Sequence, residues 1–258
     1  MIDLHPNQID IWLAFPDDIG DEELLAQYRQ LMTEKERDQE RRFYFKKDQH
    51  RYLVTRTLVR TVLSRYAPIK PEQWRFSTDA YGKPAIENDD AIGQKISFNI
   101  SHTQGLIVLG IANEKSLGVD TENIRVRQAP INVARHYFSV EETDALHALP
   151  ENVQHDHFFQ YWTLKEAYIK ARGMGLSIPL DQFSFRFYDE AGVSIKFHPL
   201  FDDHPSCWRF WQFRVFPDYL MAVCVEREKI AVQQLNIRKI IPLEVDEQFV
   251  CSLLRKSM

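Results

Sequence analysis

The sequence predicts an α/β (α+β) fold, and two observations carry that prediction. First, residues 41–66 and 157–172 place apolar side chains at helical spacing, with no Pro or Gly inside either segment. Second, short runs of β-branched and aromatic residues, bounded by turn residues, fill 96–112 and 183–225. A chain of 258 residues is long enough for one large domain or two of ordinary size.

In the first half of the chain, helix and strand signals alternate. Thr33 and Glu36 have the spacing of a capping box, which marks the start of a helix. Residues 102–105 form a turn between two apolar runs, as in a pair of adjacent strands. The predicted elements are, in order, a strand over 9–15, helices over 21–32 and 41–66, the second ended by Pro68 and Pro71, and strands over 74–76, 96–101 and 106–112.

The second half has the same kinds of signal. Ser139 and Glu142 repeat the capping-box spacing, and Gly173 is placed to end a long helix. The predicted elements are a strand over 117–122, helices over 138–149 and 157–172, strands over 183–187, 193–197, 208–215 and 220–225, and a final helix over 245–254. In each half a predicted long helix is followed by a similar segment, 71–76 in the first half and 179–185 in the second. This likeness indicates either an old duplication or chance.

Charge and cysteine content narrow the functional classes. A net charge of −5 argues against a general nucleic-acid-binding protein, although it leaves room for local basic patches. Three widely spaced cysteines without a CxxC pair indicate reduced thiols. The first residues lack the pattern of a signal peptide, and no apolar run reaches the roughly 18 residues that span a membrane. We therefore expect a cytoplasmic protein that binds neither nucleic acid nor a membrane.

One predicted helix places a carboxylate among apolar residues. Apolar side chains cover most of the circumference of 157–172, so this helix should be largely buried. On the helical wheel Glu166 falls between Trp162 and Phe159, and Lys170 lies one turn further on. A buried carboxylate is costly unless it is paired or binds a metal. An ordinary Glu166–Lys170 pair at i,i+4 and a ligand site both remain open.

Asp120 and Glu122 form a second acidic feature. Because side chains alternate along a strand, both carboxylates should point to one face. Adjacent carboxylates repel each other unless a cation joins them, and Mg²⁺ prefers a few carboxylates together with substrate phosphates. A solvent-exposed acidic strand end is the alternative, and it is the more frequent explanation of a lone DxE pattern.

Ser101 and His102 end a predicted strand. Adjacent strand residues face opposite sides, so these two cannot act as nucleophile and base without a bend. The sequence also lacks the GxSxG motif of the α/β-hydrolases. We therefore expect this pair to cap the turn or to bind a phosphate.

Basic residues gather at the start of the long helix of the first half. They form either an ordinary solvated helix face or a phosphate-binding patch. Lys83 fits the same anion site, because the neighbouring Gly82 lets the backbone approach a ligand closely. The residues of the cluster are Arg41, Arg42, Lys46, Lys47, His50 and Arg51.

The order of these motifs resembles the motif series of the 4′-phosphopantetheinyl transferases of the surfactin-synthetase-activating (Sfp-like) type. The resemblance covers roughly residues 30–190, and the pairing of GVDxE with WxxKEAxxK is highly specific. Thr121 departs from the aliphatic residue usual in the family, and residues from about 226 onward carry no family motif. The segments that carry the resemblance are Arg41-Arg42-Phe43-Tyr44, Arg75-Phe76-Ser77-Thr78, Tyr81-Gly82-Lys83-Pro84, Phe98-Asn99-Ile100-Ser101-His102, Gly118-Val119-Asp120-Thr121-Glu122, Trp162-Thr163-Leu164-Lys165-Glu166-Ala167-Tyr168-Ile169-Lys170 and Gly173-Met174-Gly175-Leu176.

The resemblance implies a fold and a reaction. The fold would be a pseudo-dimer of two similar α/β halves, 1–116 and 117–258, with a C-terminal extension from about 226 and the active site in the cleft between the halves. The chain would be a monomer with an internal pseudo-two-fold axis. The reaction would transfer the 4′-phosphopantetheine arm of coenzyme A to a serine of an apo acyl or peptidyl carrier protein, releasing 3′,5′-ADP.

The resemblance also assigns roles to residues. Asp120, Glu122 and Glu166 would hold Mg²⁺, or Mn²⁺ in its place. Glu166 or a metal-bound water would be the general base, and Lys170 would stabilise the departing 3′,5′-ADP. The turn Tyr81-Gly82-Lys83-Pro84 would hold the adenine region and His102 the 3′-phosphate. The full set expected to contact coenzyme A is Lys35, Arg42, His50, Arg51, Tyr81, Gly82, Lys83, Pro84, Ser101, His102 and Lys165.

Two other functions would use the same residues. A Mg²⁺-dependent phosphohydrolase would release free products without a carrier. A catalytically inactive carrier-binding scaffold is the non-enzymatic alternative, and the intact set Asp120, Glu122, Glu166 and Lys170 argues against it. The carrier stays open among fatty-acid, polyketide and nonribosomal-peptide systems.

Overall fold

A computed structural model describes residues 1–79, 81–88, 95–227 and 234–257. Within these ranges the helices are Glu22–Leu31 (α1), Glu34–Arg42 (α2), Lys46–Leu63 (α3), Val140–His147 (α4) and Glu151–Arg172 (α5). The strands are Gln8–Ala14 (β1), Phe76–Thr78 (β2), Pro84–Ile86 (β3), Ile96–Thr103 (β4), Leu106–Asn113 (β5), Leu117–Asn123 (β6), Phe183–Tyr188 (β7), Gly192–Phe197 (β8), Trp208–Val215 (β9), Tyr219–Glu226 (β10), Gln234–Ile241 (β11), Val245–Gln248 (β12) and Ser252–Lys256 (β13). None of these helices has the length and apolarity needed to cross a membrane.

The strands form two large sheets and one small hairpin. The first sheet has the order β12-β11-β1-β5-β4, and the second has the order β6-β10-β9-β13-β8-β7. The hairpin pairs β2 with β3. Strands β4 and β6 are therefore edge strands of different sheets, and the functional residues lie where these two edges meet.

The two sheets pack face to face between layers of helices. Along β1, Trp12 and Ala14 face a core that they share with α1 and α3, whereas Ile9, Ile11 and Leu13 face the second sheet. This alternation is the period of two expected for a strand buried on both sides. Helix α5 covers the outer face of the second sheet, where its aromatic side chains pack against residues of β7, β9 and β10. The result is a four-layer arrangement with helices outside and sheets inside.

Side chains of β4 join the two sheets at their edges. Three polar residues of β4, two positions apart, accept hydrogen bonds from three backbone N–H groups of β6, also two positions apart. The pairs are Asn99 Oδ1 with Val119 N at 2.9 Å, Ser101 Oγ with Thr121 N at 3.3 Å and Thr103 Oγ1 with Asn123 N at 3.1 Å. We call these three contacts the β4–β6 ladder. They satisfy buried edge groups that would otherwise be costly to leave unpaired.

Gly118 brings β6 into close contact with α5. A Cβ atom at this position would lie 2.0 Å from the carbonyl oxygen of Ala167, so any other residue would force the strand and helix apart. The side chains that follow Gly118 on this face, Asp120 and Glu122, therefore lie against the last turns of α5.

The predicted fold of two similar α/β halves is confirmed. Each half contains a long helix, then a short 3-10 turn and a strand: α3, Pro71–Gln73 and β2 in the first, and α5, Leu180–Gln182 and β7 in the second. The division after residue 116 stays a prediction, and the tail contributes to both sheets. Strand β11 pairs in parallel with β1, whereas β13 pairs with β9 and β8.

Several predicted elements are corrected. The final helix over 245–254 is wrong, because β12 and β13 occupy this region and long-range pairing overrides the local pattern. The helix over 41–66 is two helices, since Phe43 and Phe45 have extended backbones between α2 and α3. Helix α5 begins at Glu151, before the predicted start at 157. Strand β2 begins at Phe76, two residues after the predicted start at 74.

A buried ion pair fixes α5 against α4 and β7. Lys165 Nζ lies 2.8 Å from Glu142 Oε2, and both side chains are completely buried. The same lysine donates to the carbonyls of Leu180 at 2.7 Å and Phe183 at 2.6 Å. Glu142 also accepts from the backbone N–H of Phe185 at 2.8 Å and caps α4 through Ser139. Every charge in this cluster is paired, as burial requires.

We expect Lys165→Met to lower the free energy of unfolding by ~3–5 kcal/mol, because Glu142 would keep a buried charge without its partner. Lys196 provides the matched control: it pairs with Glu141 at 2.6 Å, but about half of each side chain is exposed. Lys196→Met should cost ~0.2–1 kcal/mol. Urea unfolding of both variants measures the difference, and equal losses would show that burial of the pair is unimportant.

Candidate active site

The three predicted carboxylates lie at the contact between β6 and α5. Asp120 and Glu122 are 6% and 7% exposed, on the face of β6 that meets α5. Every residue of β6 is buried, which excludes the alternative of a solvent-exposed acidic strand end. Thr121 points away from this face and donates to the carbonyl of Leu220 at 2.9 Å. Glu166, which is partly buried, comes from α5.

Asp120 has one satisfied oxygen and one unsatisfied oxygen. Its Oδ1 accepts hydrogen bonds from Lys170 Nζ at 2.6 Å and from Ser101 Oγ at 3.0 Å. Its Oδ2 is buried and has no hydrogen-bond partner among the described residues. A buried carboxylate oxygen without a partner costs free energy, so this atom is placed to accept a ligand.

Lys170 connects α5 to both edge strands. Besides Asp120 on β6, it donates to Ser101 Oγ on β4 at 2.9 Å. No ion pair joins it to Glu166 in the part of the chain that the structure describes. The simple i,i+4 interpretation of these two residues is therefore wrong, because the lysine reaches across to the strands. Ser101 thus belongs both to the site and to the β4–β6 ladder.

Arg127 is a site residue that the sequence analysis missed. Its guanidinium contacts the Glu122 carboxylate and lies over the rings of Trp162 and Phe159, 5.6 and 5.9 Å from their centroids. The loop after β6 folds back towards this strand because Asn123 Oδ1 accepts hydrogen bonds from the backbone N–H groups of residues 125 and 126. This local turn signal, an Asn followed by a basic residue, was the available clue.

Burial and the neighbouring charge of Asp120 raise the pKa of Glu122 and of Glu166. Burial, with the negative charge of Asp120 as the second cause, raises the pKa of Glu122 to about 7. The same two causes, in the same order, raise the pKa of Glu166 to about 7. The nearby positive charges of Arg127 and Lys170 oppose these shifts only partly. The cluster therefore holds more negative charge than its protein partners compensate.

The donor set suits a hard divalent cation. It consists of carboxylate oxygens, which Mg²⁺ and Mn²⁺ prefer, and Asp120 Oδ2 is a buried oxygen without a partner. Among the described residues, however, no three His, Cys, Asp or Glu side chains converge at metal-binding spacing. Two of the carboxylates form ion pairs with positively charged side chains, Asp120 with Lys170 and Glu122 with Arg127.

A pocket of about 280 Å³ lies beside this cluster and has walls from both halves of the chain. The first half contributes the turn Tyr81–Pro84 with Asn99 and Ile100, and the second contributes residues of α5 and the segment after it. The structure thus brings together motifs that are more than eighty residues apart. The α5 side of the pocket is lined by Glu166, Ile169, Lys170, Gly173 and Gly175.

Lys83 lines the pocket and also holds the turn Tyr81–Pro84 against neighbouring backbone. Its ammonium group donates to the carbonyls of Lys170 at 2.8 Å, Leu117 at 3.3 Å and Ala171 at 3.4 Å. Three carbonyl acceptors match the three N–H donors of the group, so its side chain binds the C-terminal end of α5. Desolvation lowers the pKa of Lys83. The lysine fixes the turn Tyr81–Pro84 to α5 and so shapes the pocket.

Lys165 does not reach the pocket. Its ammonium group is completely buried in the ion-pair cluster with Glu142, so the predicted contact with coenzyme A is wrong. Successive helix residues differ by about 100° in direction, so Lys165 points into the core although Glu166 lines the pocket.

Two predicted phosphate contacts, Arg51 and His102, lie near each other, and Lys170 is also near His102. Desolvation by surrounding atoms and the charges of Arg51 and Lys170 lower the pKa of His102. Arg51 also pairs with Asp48 at 2.9 Å. His50 is engaged elsewhere, since its ring nitrogen lies 2.9 Å from the carbonyl oxygen of Pro16.

Lys35 and Arg42 line a second pocket, of about 830 Å³, together with Tyr52, Arg56 and Phe76. Pro84 borders both pockets, so they adjoin at the β2–β3 hairpin. Of the residues predicted to contact coenzyme A, the first pocket is lined by Tyr81, Gly82, Lys83 and Pro84, and the second by Lys35, Arg42 and Pro84.

Comparison with known proteins agrees with this arrangement. Residues 20–115 match a family model described as 4′-phosphopantetheinyl transferase, N-terminal, and residues 116–224 match the 4′-phosphopantetheinyl transferase superfamily. The chain is 38% identical over 198 residues to the 4′-phosphopantetheinyl transferase Sfp of Bacillus subtilis (strain 168), covering 76% of this chain and 83% of the relative. The chain belongs to the 4′-phosphopantetheinyl transferase family.

Other relatives carry the same family name. The 4′-phosphopantetheinyl transferase ffp of Bacillus subtilis is 36% identical over 196 residues, which cover 76% of this chain and 83% of the relative. The 4′-phosphopantetheinyl transferase HetI of Nostoc sp. (strain PCC 7120 / SAG 25.82 / UTEX 2576) is 33% identical over 136 residues, or 53% of this chain and 57% of the relative. The family and the enzyme class predicted from the motif order are thus confirmed.

We expect Glu166→Gln to stabilise the metal-free transferase at about pH 8 by ~1–3 kcal/mol and to have little effect near pH 5. The folded-state pKa of Glu166, about 7, lies above its ordinary value of 4.5. The stability associated with this group is therefore present below pH 4.5 and lost as the pH rises through 7. Unfolding with EDTA present, across this pH range, measures the effect.

Glu141→Gln is the control for this prediction. The hydrogen bonds from Lys196 and Arg186 lower the pKa of Glu141, so its amide variant should gain no stability at high pH. A stability difference between wild type and Glu166→Gln that is the same at both pH values would contradict the burial of this carboxylate.

Proposed function

We propose that this transferase moves the 4′-phosphopantetheine arm of coenzyme A to a serine of an apo acyl or peptidyl carrier protein, with release of 3′,5′-ADP. One observation carries the proposal: Asp120 and Lys170 of the second half meet Ser101 of the first, beside a pocket that has walls from both halves and is also lined by Glu166. The names of the relatives support the reaction class.

The positive groups of the site suit the phosphates of coenzyme A. Arg51 and Lys170 both lie near His102, where their charges add to desolvation in lowering the pKa of His102. Such a group of donors attracts phosphate oxygens and fixes their orientation. We place the pyrophosphate next to Lys170 and the nucleotide in the pockets on either side of Pro84, with Lys35 and Arg42 towards the outer end.

Asp120, Glu122 and Glu166 would hold Mg²⁺, or Mn²⁺ in its place. The unpartnered Oδ2 of Asp120 and the raised pKa of the other two carboxyls support this assignment. The cation, when bound, supplies positive charge that offsets the charge of the pyrophosphate and of the reacting phosphoryl group.

The groups of the chain then have defined tasks. The carrier serine Oγ attacks the phosphorus that bears the pantetheine arm, and the bond from that phosphorus to the oxygen shared with 3′,5′-ADP breaks. Glu166 lies at the pocket wall and would accept the serine proton. Lys170 donates to the departing phosphate and so stabilises its developing charge.

The cysteines support the proposed cytoplasmic location. Cys207, Cys224 and Cys251 are all free thiols, as expected in a reducing compartment.

Incubation with coenzyme A, Mg²⁺ and an apo carrier protein tests the reaction, with the intact mass of the carrier as the readout. We expect the carrier to gain the mass of one phosphopantetheine arm and 3′,5′-ADP to appear in equal amount. Release of 3′,5′-ADP with an unmodified carrier would instead indicate a phosphohydrolase. No change in either, across fatty-acid, polyketide and peptide carriers, would indicate a binding scaffold.

Asp120→Asn keeps the size of the side chain but removes its charge. We expect it to lower the rate of transfer about a hundredfold or more, as for loss of a cation that stabilises several kcal/mol of transition-state charge. Asp144→Asn, an exposed change on α4, is the control and should leave transfer unchanged. Transfer by Asp120→Asn at a near wild-type rate would remove Asp120 from the metal site.

A further inference from the structure

Arg127 holds one of the three carboxylates in the metal-free protein. Glu122 is almost completely buried, and its carboxylate contacts the guanidinium of Arg127, whose side chain is 52% exposed. The segment between β6 and the 3-10 turn at Ile131–His136 contains neither helix nor strand. Arg127 therefore lies on a loop that can change conformation without disturbing a sheet or a helix.

The guanidinium of Arg127 has a second partner beside the first. It lies over the Trp162 ring, 5.6 Å from the centroid, and 5.9 Å from that of Phe159. Aromatic rings attract cations through their faces. If Arg127 left Glu122, these rings would keep its positive charge beside the site.

The ion pairs of the cluster indicate that a bound cation would compete with a side chain of the protein. Asp120 is paired with Lys170 and Glu122 with Arg127, whereas no ion pair to Glu166 occurs among the described residues. Those residues also contain no three-ligand group at metal-binding spacing. A divalent cation that bound all three carboxylates would compete with Arg127 for the carboxylate of Glu122.

We propose that Arg127 is a displaceable counter-ion, a positioning residue that competes with the divalent cation for Glu122. It thereby sets the concentration of cation at which the site is loaded. The inference rests on the proposed function, since it needs a cation at these carboxylates. Arg127 moves from the carboxylate towards Trp162 as the cation binds.

Titration of the full chain with Mn²⁺ tests this inference without any turnover. The readout is free Mn²⁺ measured by electron paramagnetic resonance, with coenzyme A and carrier absent. We expect Arg127→Gln to bind Mn²⁺ about three- to tenfold more tightly than wild type, because the cation no longer displaces an ion pair. Arg127→Lys keeps the positive charge and should lie between the two.

Arg125→Gln is the matched control. Arg125 is two residues away, its side chain is 77% exposed, and it pairs loosely with Asp218 at 3.5 Å. This variant removes the same charge, so it reports the long-range electrostatic effect alone, which salt largely screens. We expect its Mn²⁺ affinity to stay within about twofold of wild type at physiological ionic strength.

The outcomes separate the inference from the proposed function. Equal affinity of wild type and Arg127→Gln, or weaker binding by Arg127→Gln, would overturn the competition while leaving the metal site intact. Binding that Asp120→Asn does not weaken would place Mn²⁺ elsewhere and overturn both the competition and the metal assignment. Wild-type protein that binds no Mn²⁺ would overturn the competition, and the carrier assay would then decide the transfer reaction by itself.

Discussion

The β4–β6 ladder is the interaction on which the site depends. Two sheets end at neighbouring edges, and buried N–H groups of β6 need acceptors there. Asn99, Ser101 and Thr103 supply them from side chains, so the edges are joined without main-chain pairing. The two sheets thus remain separate, but the relative position of their edges is fixed.

This junction places groups from three elements around Asp120. Ser101 accepts from the backbone of β6 and donates to Asp120, while Lys170 of α5 contacts both side chains. Gly118 lets α5 approach β6 closely enough for these contacts, and Lys83 fixes the Tyr81–Pro84 turn to the end of α5. Burial at this junction, with the charge of Asp120 as the second cause, raises the pKa of Glu166.

Features set by local pattern were predictable from the sequence. Strand alternation located Asp120 and Glu122 on one face, and the two capping boxes located the starts of α2 and α4. Features set by contacts between distant segments were not predictable from the sequence. The tail strand β13 lies between β9 and β8, and nothing in its own residues specifies those neighbours.

The same distinction between local pattern and distant contacts explains which roles of the site residues were predicted wrongly or missed. Motif order assigned Lys165 to coenzyme A, but its direction on α5 and the distant Glu142 make it part of the core. Arg127 escaped prediction because a loop, with no periodic pattern, returns it to Glu122. The direction of each side chain depends on packing that a list of motifs does not contain.

The central claim is that the two halves form one cooperative unit with the binding site at their junction. Calorimetric unfolding of the full chain, with and without coenzyme A and Mg²⁺, tests it most directly. We expect a single transition in both conditions, which moves as a whole to higher temperature when both ligands are present. Two separate transitions, of which the ligands shift only one, would contradict it.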